Sequence, residues 1–170
     1  EDIDTEANFL SLFNAINALA KKYDMPILYS CHPRSKKRLE ENGFKLDERV
    51  IIHEPLGFID YNNLQMNAFA VVSDSGTLPE ESSFYASINK PIAAVCIRTS
   101  TERPEALDAG CFVLAGIDEN SLLQATEVAL LNKYGCKEVK DYSDTNVSDK
   151  VVKLIQSYVN VVNKMVWRKE

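Results

Sequence analysis

This sequence of 170 residues is poor in the features that mark metal, disulfide or membrane proteins. Its four cysteines are widely spaced without a C-x-x-C pair, and it has only two histidines, so clustered zinc ligands are lacking. No apolar run approaches the ~20 residues of a membrane-spanning helix. We therefore expect no metal site, no membrane partner and free, mostly buried thiols in a cytoplasmic protein. The cysteines are Cys31, Cys96, Cys111 and Cys136.

Basic charge is also scarce. The chain carries 19 Lys and Arg against 25 Asp and Glu, which gives a net charge of −6 and a pI of about 5.0. Such a balance disfavours nucleic acid as a partner, since nucleic acids bind to basic faces. It remains compatible with a local basic pocket for one phosphate group.

Short apolar segments alternate with helical patterns about once every 20 residues. The apolar segments do not alternate between polar and apolar side chains, which favours parallel strands buried on both faces. The fold class predicted is α/β, a Rossmann-like doubly wound parallel sheet. Strands are predicted at 25–31, 49–53, 69–74, 91–97 and 111–116, and helices at 5–22, 34–43, 60–68, 79–87, 103–110, 121–133 and 147–167.

The loops that follow the strands define the candidate site, because ligands of such sheets bind at the carboxyl ends of the strands. These loops begin at residues 32, 54, 73 and 98, and they supply arginine, histidine, hydroxyl groups and helix N-termini. We expect this edge of the sheet to bind a phosphorylated ligand rich in hydroxyl groups.

The stretch "SDSGTLPEESSF", residues 73–84, is the most informative of these loops. Thr77 and Glu80 have the spacing of a capping box, and the amides near Ser75 and Gly76 lie where a phosphate can bind. Because a carboxylate would repel a nearby phosphate, we expect Glu81 to accept hydrogen bonds from a donor group of the ligand, such as a ribose diol. The alternative is that both glutamates only complement the helix dipole.

The other candidates also have two interpretations. Arg103 either meets a diphosphate through its guanidinium group or is a surface charge beside Thr101, a candidate helix cap. His32 is more often structural at such a position, and Tyr61 and Phe58 either stack on a base or belong to the core.

The segments "SDSGTLPEE" and "IRTSTERPEALDAG" together resemble the non-hydrolysing UDP-N-acetylglucosamine 2-epimerase family. Within it, "LPEESSF" and "CIRTSTERPE" are similar to a branch that makes UDP-N-acetyl-L-fucosamine for bacterial surface polysaccharides. The resemblance implies a two-lobed GT-B arrangement, of which this chain matches the carboxyl-terminal lobe. We predict a nucleotide-binding lobe at 1–146 and a terminal helix at 147–170 that packs on this lobe or toward the amino-terminal one.

The resemblance also implies the roles of the site residues. Phosphate is held by Ser75 and the amides of Gly76 and Thr77, and the ribose diol by Glu81. Arg103 lies near the diphosphate, and uracil meets the loop of Leu56, Gly57, Phe58 and Tyr61. His32 and Arg34 line the same edge.

The chemistry implied is removal of the proton at sugar C2 with loss of UDP, followed by re-addition from the other face. It requires no cofactor and no metal, and no catalytic residue is assigned to this chain. The partners implied are a UDP-activated amino sugar, the amino-terminal lobe of the same protein and, in some assemblies, a second copy as a homodimer.

One departure from the family pattern qualifies this interpretation. The family's H-R-x-E-N strand, expected just before the first helix, is missing except for Glu1 and Asp2 as a remnant of its last two residues. One alternative is a GT-B glycosyltransferase lobe, which holds a nucleotide sugar in a similar cleft, although the pair of motifs argues against it. The missing strand supports a second alternative, a non-catalytic nucleotide-binding fragment, and we expect this chain alone to be inactive.

Overall fold

The structure is a computed structural model that describes residues 5–169, so Glu1 and Asp2 lie outside the described residues. The described residues up to Val139 form one compact unit, and those from Lys140 onward form a second. Among the residues described, no helix combines the length and the apolar character needed to cross a membrane.

Helices and strands alternate along the first unit as the sequence predicts. The α/β fold class with parallel strands is confirmed, and the boundaries of most elements lie within two or three residues of the prediction. The strands are β1 (Ile27–Ser30), β2 (Val50–His53), β3 (Val71–Ser73), β4 (Ala94–Cys96) and β5 (Val113–Leu114). The helices are α1 (Glu6–Tyr23), α2 (Pro33–Glu41), α3 (Phe58–Asn67), α4 (Leu78–Ser87), α5 (Pro104–Asp108) and α6 (Glu119–Asn132).

The five described strands form two parallel sheets. In one, β1 pairs with β2, with Ile27 opposite Val50. In the other, β4 lies between β3 and β5, and Val95 is opposite both Val72 and Val113. Among the described strands, β1 and β3 each have one strand neighbour, and the two sheets are joined through side chains.

Helix α1 makes that connection with two adjacent faces. One face packs with Leu39 and Val50 around the first sheet, and the other packs with Val95 and α6 on the second sheet. Ile27 of β1 contacts both groups of buried side chains. The α1 residues of the first face are Phe9, Leu12, Phe13, Ile16 and Ala20, and those of the second are Ala15 and Leu19.

The second unit contains α7 (Val147–Met165), preceded by a short 3-10 turn. The helix is amphipathic, and its large apolar side chains are exposed. The packing predicted for this segment therefore stays a prediction. Its exposed apolar residues include Val151, Leu154, Ile155, Tyr158, Val159 and Val162.

An ion-pair network ties the end of α1 to the start of β2. The Arg49 guanidinium donates to both carboxylate oxygens of Asp47, from Nε at 2.7 Å and from Nη2 at 2.9 Å, and Nη1 donates to Asp24 at 2.5 Å. Hydrogen bonds from Arg49 lower the pKa of Asp47 to about 2. Because Asp24 ends α1, this network helps to fix the helix relative to the first sheet.

We predict that Asp47→Asn destabilises the fold in a pH-dependent way. The folded pKa of Asp47 lies below the value of about 3.9 for an unfolded chain, so the carboxylate contributes stability above that pH and loses it as the pH falls toward 2. Urea midpoints at pH 7, pH 4 and pH 2.5 should show a difference between wild type and variant that shrinks with acid. An equal difference at all three pH values would contradict this role.

Candidate functional site

The loop between β3 and α4 is held together by its own hydroxyl groups. The Ser75 amide donates to the Ser73 hydroxyl at 3.0 Å, and the Thr77 amide donates to Ser75 Oγ at 3.3 Å. The Ser75 and Thr77 hydroxyls are 2.9 Å apart. This loop places Ser75, Gly76 and Thr77 directly before the first turn of α4, where free helix amides favour an anion.

The predicted capping box is wrong, although Thr77 is the N-cap residue of α4. Its hydroxyl makes no capping bond to a helix amide and instead donates to Glu81 Oε1 at 3.0 Å. Glu80 does not fold back onto the Thr77 amide. Its Oε1 accepts from Arg103 Nε at 2.7 Å, because a guanidinium is a stronger donor to a carboxylate than a neutral amide.

Glu80 thus links the start of α4 to the loop that carries Arg103. Arg103 immediately precedes α5, and its amide donates to the Thr101 hydroxyl at 3.0 Å, so Thr101 orders this loop without being the helix cap. The Arg103 and Glu80 side chains are both partly exposed. The structure therefore holds Arg103 at the N-terminal end of α4, and its contact with a diphosphate stays a prediction.

Glu81 belongs to a different network, on the side of α4 that faces α3. Gln65 Nε2 donates to Glu81 Oε2 at 2.6 Å and to the Tyr61 hydroxyl at 2.9 Å. The Tyr85 hydroxyl contacts both Gln65 Oε1 at 2.9 Å and Asn62 Oδ1 at 2.5 Å. Burial, and to a lesser extent the Glu81 charge, raises the pKa of both Tyr61 and Tyr85, so both phenols stay protonated near neutral pH.

Gln65 and Arg98 are two residues that sequence reasoning missed. Gln65 lies one helical turn after Tyr61, and this spacing of four was the available signal. Arg98 lies two positions after the end of β4, and its Nε donates to the Asp74 carbonyl at 2.7 Å. Arg98 therefore braces the loop that contains Gly76.

The loop predicted to meet uracil leads into α3. Gly57 is the N-cap residue of α3, and Phe58 is its first residue, with 83% of its surface exposed. Leu56 is also exposed. Tyr61 differs from Phe58, because its hydroxyl is engaged by Gln65 in the Glu81 network. Of these two aromatic residues, Phe58 is the more available for stacking.

His32 has a structural contact at the start of α2. It is the N-cap residue, and its Nδ1 accepts from the Arg34 amide at 3.2 Å. This is the more common role for such a histidine, and it leaves Nε2 for any ligand. The structure thus joins Ser75, Thr77, Glu81 and Tyr61 in one hydrogen-bonded network, and a separate contact holds His32 and Arg34.

The four cysteines are free, as expected. Three are buried and Cys136 is partly exposed. The Cys111 and Cys136 thiols both contact the Lys137 carbonyl, and their mutual interaction raises the pKa of Cys111 and lowers that of Cys136.

Comparison with known proteins shows the family to which this chain belongs. The family model "UDP-N-acetylglucosamine 2-epimerase" matches residues 1–156, and the chain belongs to this family. A UDP-N-acetylglucosamine 2-epimerase of Methanococcus maripaludis is 37% identical over 134 residues, which are 76% of this chain and 35% of that protein.

Solved structures are similar over nearly the whole chain. UDP-N-acetylglucosamine 2-epimerase from Rickettsia bellii is 40% identical with a TM-score of 0.74, over 97% of this chain and 45% of that one. The Methanocaldococcus jannaschii UDP-GlcNAc 2-epimerase in complex with UDP-GlcNAc and UDP is 27% identical with a TM-score of 0.75, over 92% of this chain and 42% of that one. The chain therefore spans less than half the length of these relatives.

Adding a side chain should lower the stability of the fold more at some glycines than at others. This difference tests the geometry of the loop before α4. At Gly76 the backbone is not left-handed, and an added Cβ would lie 3.9 Å from Arg98 Nη2. Gly110 has a φ of +73°, which disfavours any L side chain.

We predict that Gly76→Ala leaves the free energy of unfolding within about 0.5 kcal/mol of wild type. Gly110→Ala should lower it by about 1–2 kcal/mol because of its left-handed backbone. Urea denaturation of both variants measures this. Equal destabilisation by the two changes would show that the loop around Gly76 is tighter than the structure has it.

Proposed function

We propose that this chain binds UDP along the edge formed by the loop before α4 and the starts of α3 and α5. It would then be the nucleotide-binding half of a UDP-sugar 2-epimerase, in agreement with its family. The observation that carries the proposal is the environment of Glu81. Neutral donors hold this carboxylate, and no cation neutralises it in the contacts that the structure gives.

The Glu81 carboxylate suits a ribose diol. An ionised carboxylate has about four acceptor positions. Gln65 uses one on Oε2 and Thr77 uses one on Oε1, which leaves one on each oxygen. A vicinal diol donates two hydrogen bonds, and it can meet both oxygens at once.

The diphosphate would lie at the N-terminus of α4. The Gly76 amide is placed there, beside the Thr77 amide and the Ser75 hydroxyl, which bond to each other at 3.3 Å and would turn to the phosphate when it binds, and α4 adds its positive N-terminal end. Arg103 lies beside this helix end because it is paired with Glu80. Arg98 supports the loop through its hydrogen bond to the Asp74 carbonyl. Uracil would then contact Leu56 and Gly57, with Phe58 on its face.

The reaction we propose for the whole protein is elimination and re-addition. A base removes the proton at C2 of a 2-acetamido sugar, the electron pair forms the C1–C2 double bond, and the C1–O bond breaks to release UDP. Re-addition of UDP to the 2-acetamidoglycal, with a proton delivered to the opposite face of C2, inverts that centre. This chain would hold the leaving UDP and stabilise its charge, and the acid and base would come from the other lobe.

We propose that this chain is the carboxyl-terminal lobe of a two-lobed enzyme, because it spans less than half the length of its relatives.

We also propose that a further parallel strand, which is not among the five described strands, lies between β1 and β3 in the whole protein. In support, Ile27 of β1 and Val72 of β3 pack against the same buried side chains, while β1 and β3 belong to different sheets.

We predict that Glu81→Gln weakens UDP binding about 10- to 100-fold, since a charge-assisted hydrogen bond contributes about 1.5–3 kcal/mol. Calorimetric titration with UDP, UMP and uridine would measure this. Affinity should fall as phosphates are removed. Gly76→Ala should also weaken UDP binding, because the added methyl group keeps phosphate from the backbone.

Glu127→Gln, an exposed change on α6, is the matched control for Glu81→Gln and should bind like wild type. A folded wild-type chain that binds uridine as tightly as UDP would contradict the phosphate site. Equal UDP affinity of wild type and Glu81→Gln would contradict the ribose assignment.

The sugar that we propose is UDP-2-acetamido-2,6-dideoxy-L-talose, converted to UDP-N-acetyl-L-fucosamine in surface-polysaccharide synthesis. The support is the resemblance of "LPEESSF" and "CIRTSTERPE" to that branch. We predict that the protein with both lobes inverts C2 of this substrate faster than C2 of UDP-N-acetylglucosamine, as followed by proton NMR with deuterium incorporation at C2. Faster turnover of UDP-N-acetylglucosamine would refute the fucosamine assignment and leave the epimerase family intact.

A further inference from the structure

Gln65 is an unusual residue for its helix. All ten residues of α3 are described, and Gln65 alone among them is buried, with 3% of its surface exposed. Large apolar side chains of the same helix, such as Phe58 and Ile59, are more than three-quarters exposed. A buried amide costs free energy unless its polar atoms are hydrogen-bonded, so the contacts of Gln65 require an explanation.

The amide of Gln65 is fully engaged, and its orientation is determined by its neighbours. A carboxylate only accepts hydrogen bonds at neutral pH, so the nitrogen of the amide must face Glu81. Nε2 donates one hydrogen to Glu81 Oε2 at 2.6 Å and the other to the Tyr61 hydroxyl at 2.9 Å. Oε1 lies 2.9 Å from the Tyr85 hydroxyl, whose one hydrogen is shared between Gln65 Oε1 and Asn62 Oδ1.

These contacts fix the plane of the Glu81 carboxylate. Gln65 holds Oε2, and Thr77 holds Oε1 from the opposite end of the group at 3.0 Å. Glu81 is then restrained at both oxygens by donors from different elements, α3 and the loop before α4. A carboxylate fixed in this way loses little side-chain entropy when a diol binds.

We propose that Gln65 is a positioning residue for ribose recognition, and that it acts by holding Glu81 in the orientation that accepts both ribose hydroxyls. The inference rests on the proposed UDP site. Gln65 itself does not touch the nucleotide. Its two tyrosine partners hold it in place, and their pKa values are raised, so they stay neutral and add no charge to the site.

A purely structural role for Gln65 predicts a different result from a positioning role. If Gln65 only joins α3 to α4, its loss weakens the binding of every ligand alike. If it orients Glu81, its loss affects only ligands that carry the ribose hydroxyls. The comparison of UDP with 2′,3′-dideoxy-UDP, which lacks both hydroxyls, separates the two roles.

The test is calorimetric titration of wild type and Gln65→Met with both nucleotides. Methionine keeps the length and the burial but removes the donors. We expect about tenfold weaker binding of UDP and an unchanged Kd for dideoxy-UDP, because a hydrogen bond to a charged group is lost. Asn67→Met is the matched control on α3, since Asn67 is exposed and bonds only to Asn63 of its own helix in the contacts given, and it should change neither Kd.

The results that would overturn the proposal are distinct from those that would overturn the UDP site. Equal weakening of both nucleotides, or no weakening of either, refutes the positioning role while the UDP site stands. A wild-type chain that does not bind UDP, or does not prefer it to dideoxy-UDP, refutes the ribose site and the positioning role together.

If circular dichroism shows that the Gln65→Met chain does not fold, a second variant, Gln65→Glu, tests the same proposal. Gln65→Glu retains the side-chain length and turns an acceptor toward Glu81, so it should also remove the preference for UDP over dideoxy-UDP. In a Glu81→Gln background, a change at Gln65 should have no further effect on that preference, because coupled residues are not additive. An additive effect contradicts action through Glu81.

Discussion

The packing of α1 against both sheets is the contact on which the first unit depends. Parallel strands are normally joined by backbone hydrogen bonds, and here the described strands divide into two such sets. Two adjacent faces of α1 bury seven residues between them, and Ile27 and Ile97 contact both groups of buried side chains. Apolar burial against α1 therefore holds the two sheets together, as backbone hydrogen bonds between strands do in a continuous sheet.

That packing also holds strands of both sheets against the same helix. Ile27 of β1 and Val72 of β3 both pack against the group of buried side chains that includes Ala15 and Leu19 of α1. The loop before α4 is thus placed from two directions, by the strand that precedes it and by the packing of α1. Arg98 adds a direct bond to the Asp74 carbonyl.

Much of the fold and part of the site could be predicted from the sequence. Apolar runs and helical periodicity located the strands and helices because these signals are local. The capping box failed because Thr77 donates to Glu81 and because Glu80 has a stronger partner that is distant in sequence. Arg103 lies 23 positions from Glu80, and Gln65 lies 16 positions from Glu81. Local spacing contains no information about such partners.

Successive residues of a helix point about 100° apart, and this geometry separates the functions of the two adjacent glutamates. Glu80 points toward the α5 side and is paired with a cation, and Glu81 points toward α3 and is held by neutral donors. A cation at Glu81 would compete with ligand hydroxyls for its oxygens, whereas neutral donors leave the charge available to them. The pairing of Glu80 with Arg103 also offsets one of two negative charges at the N-terminal end of α4, which lowers the repulsion that a diphosphate would meet there.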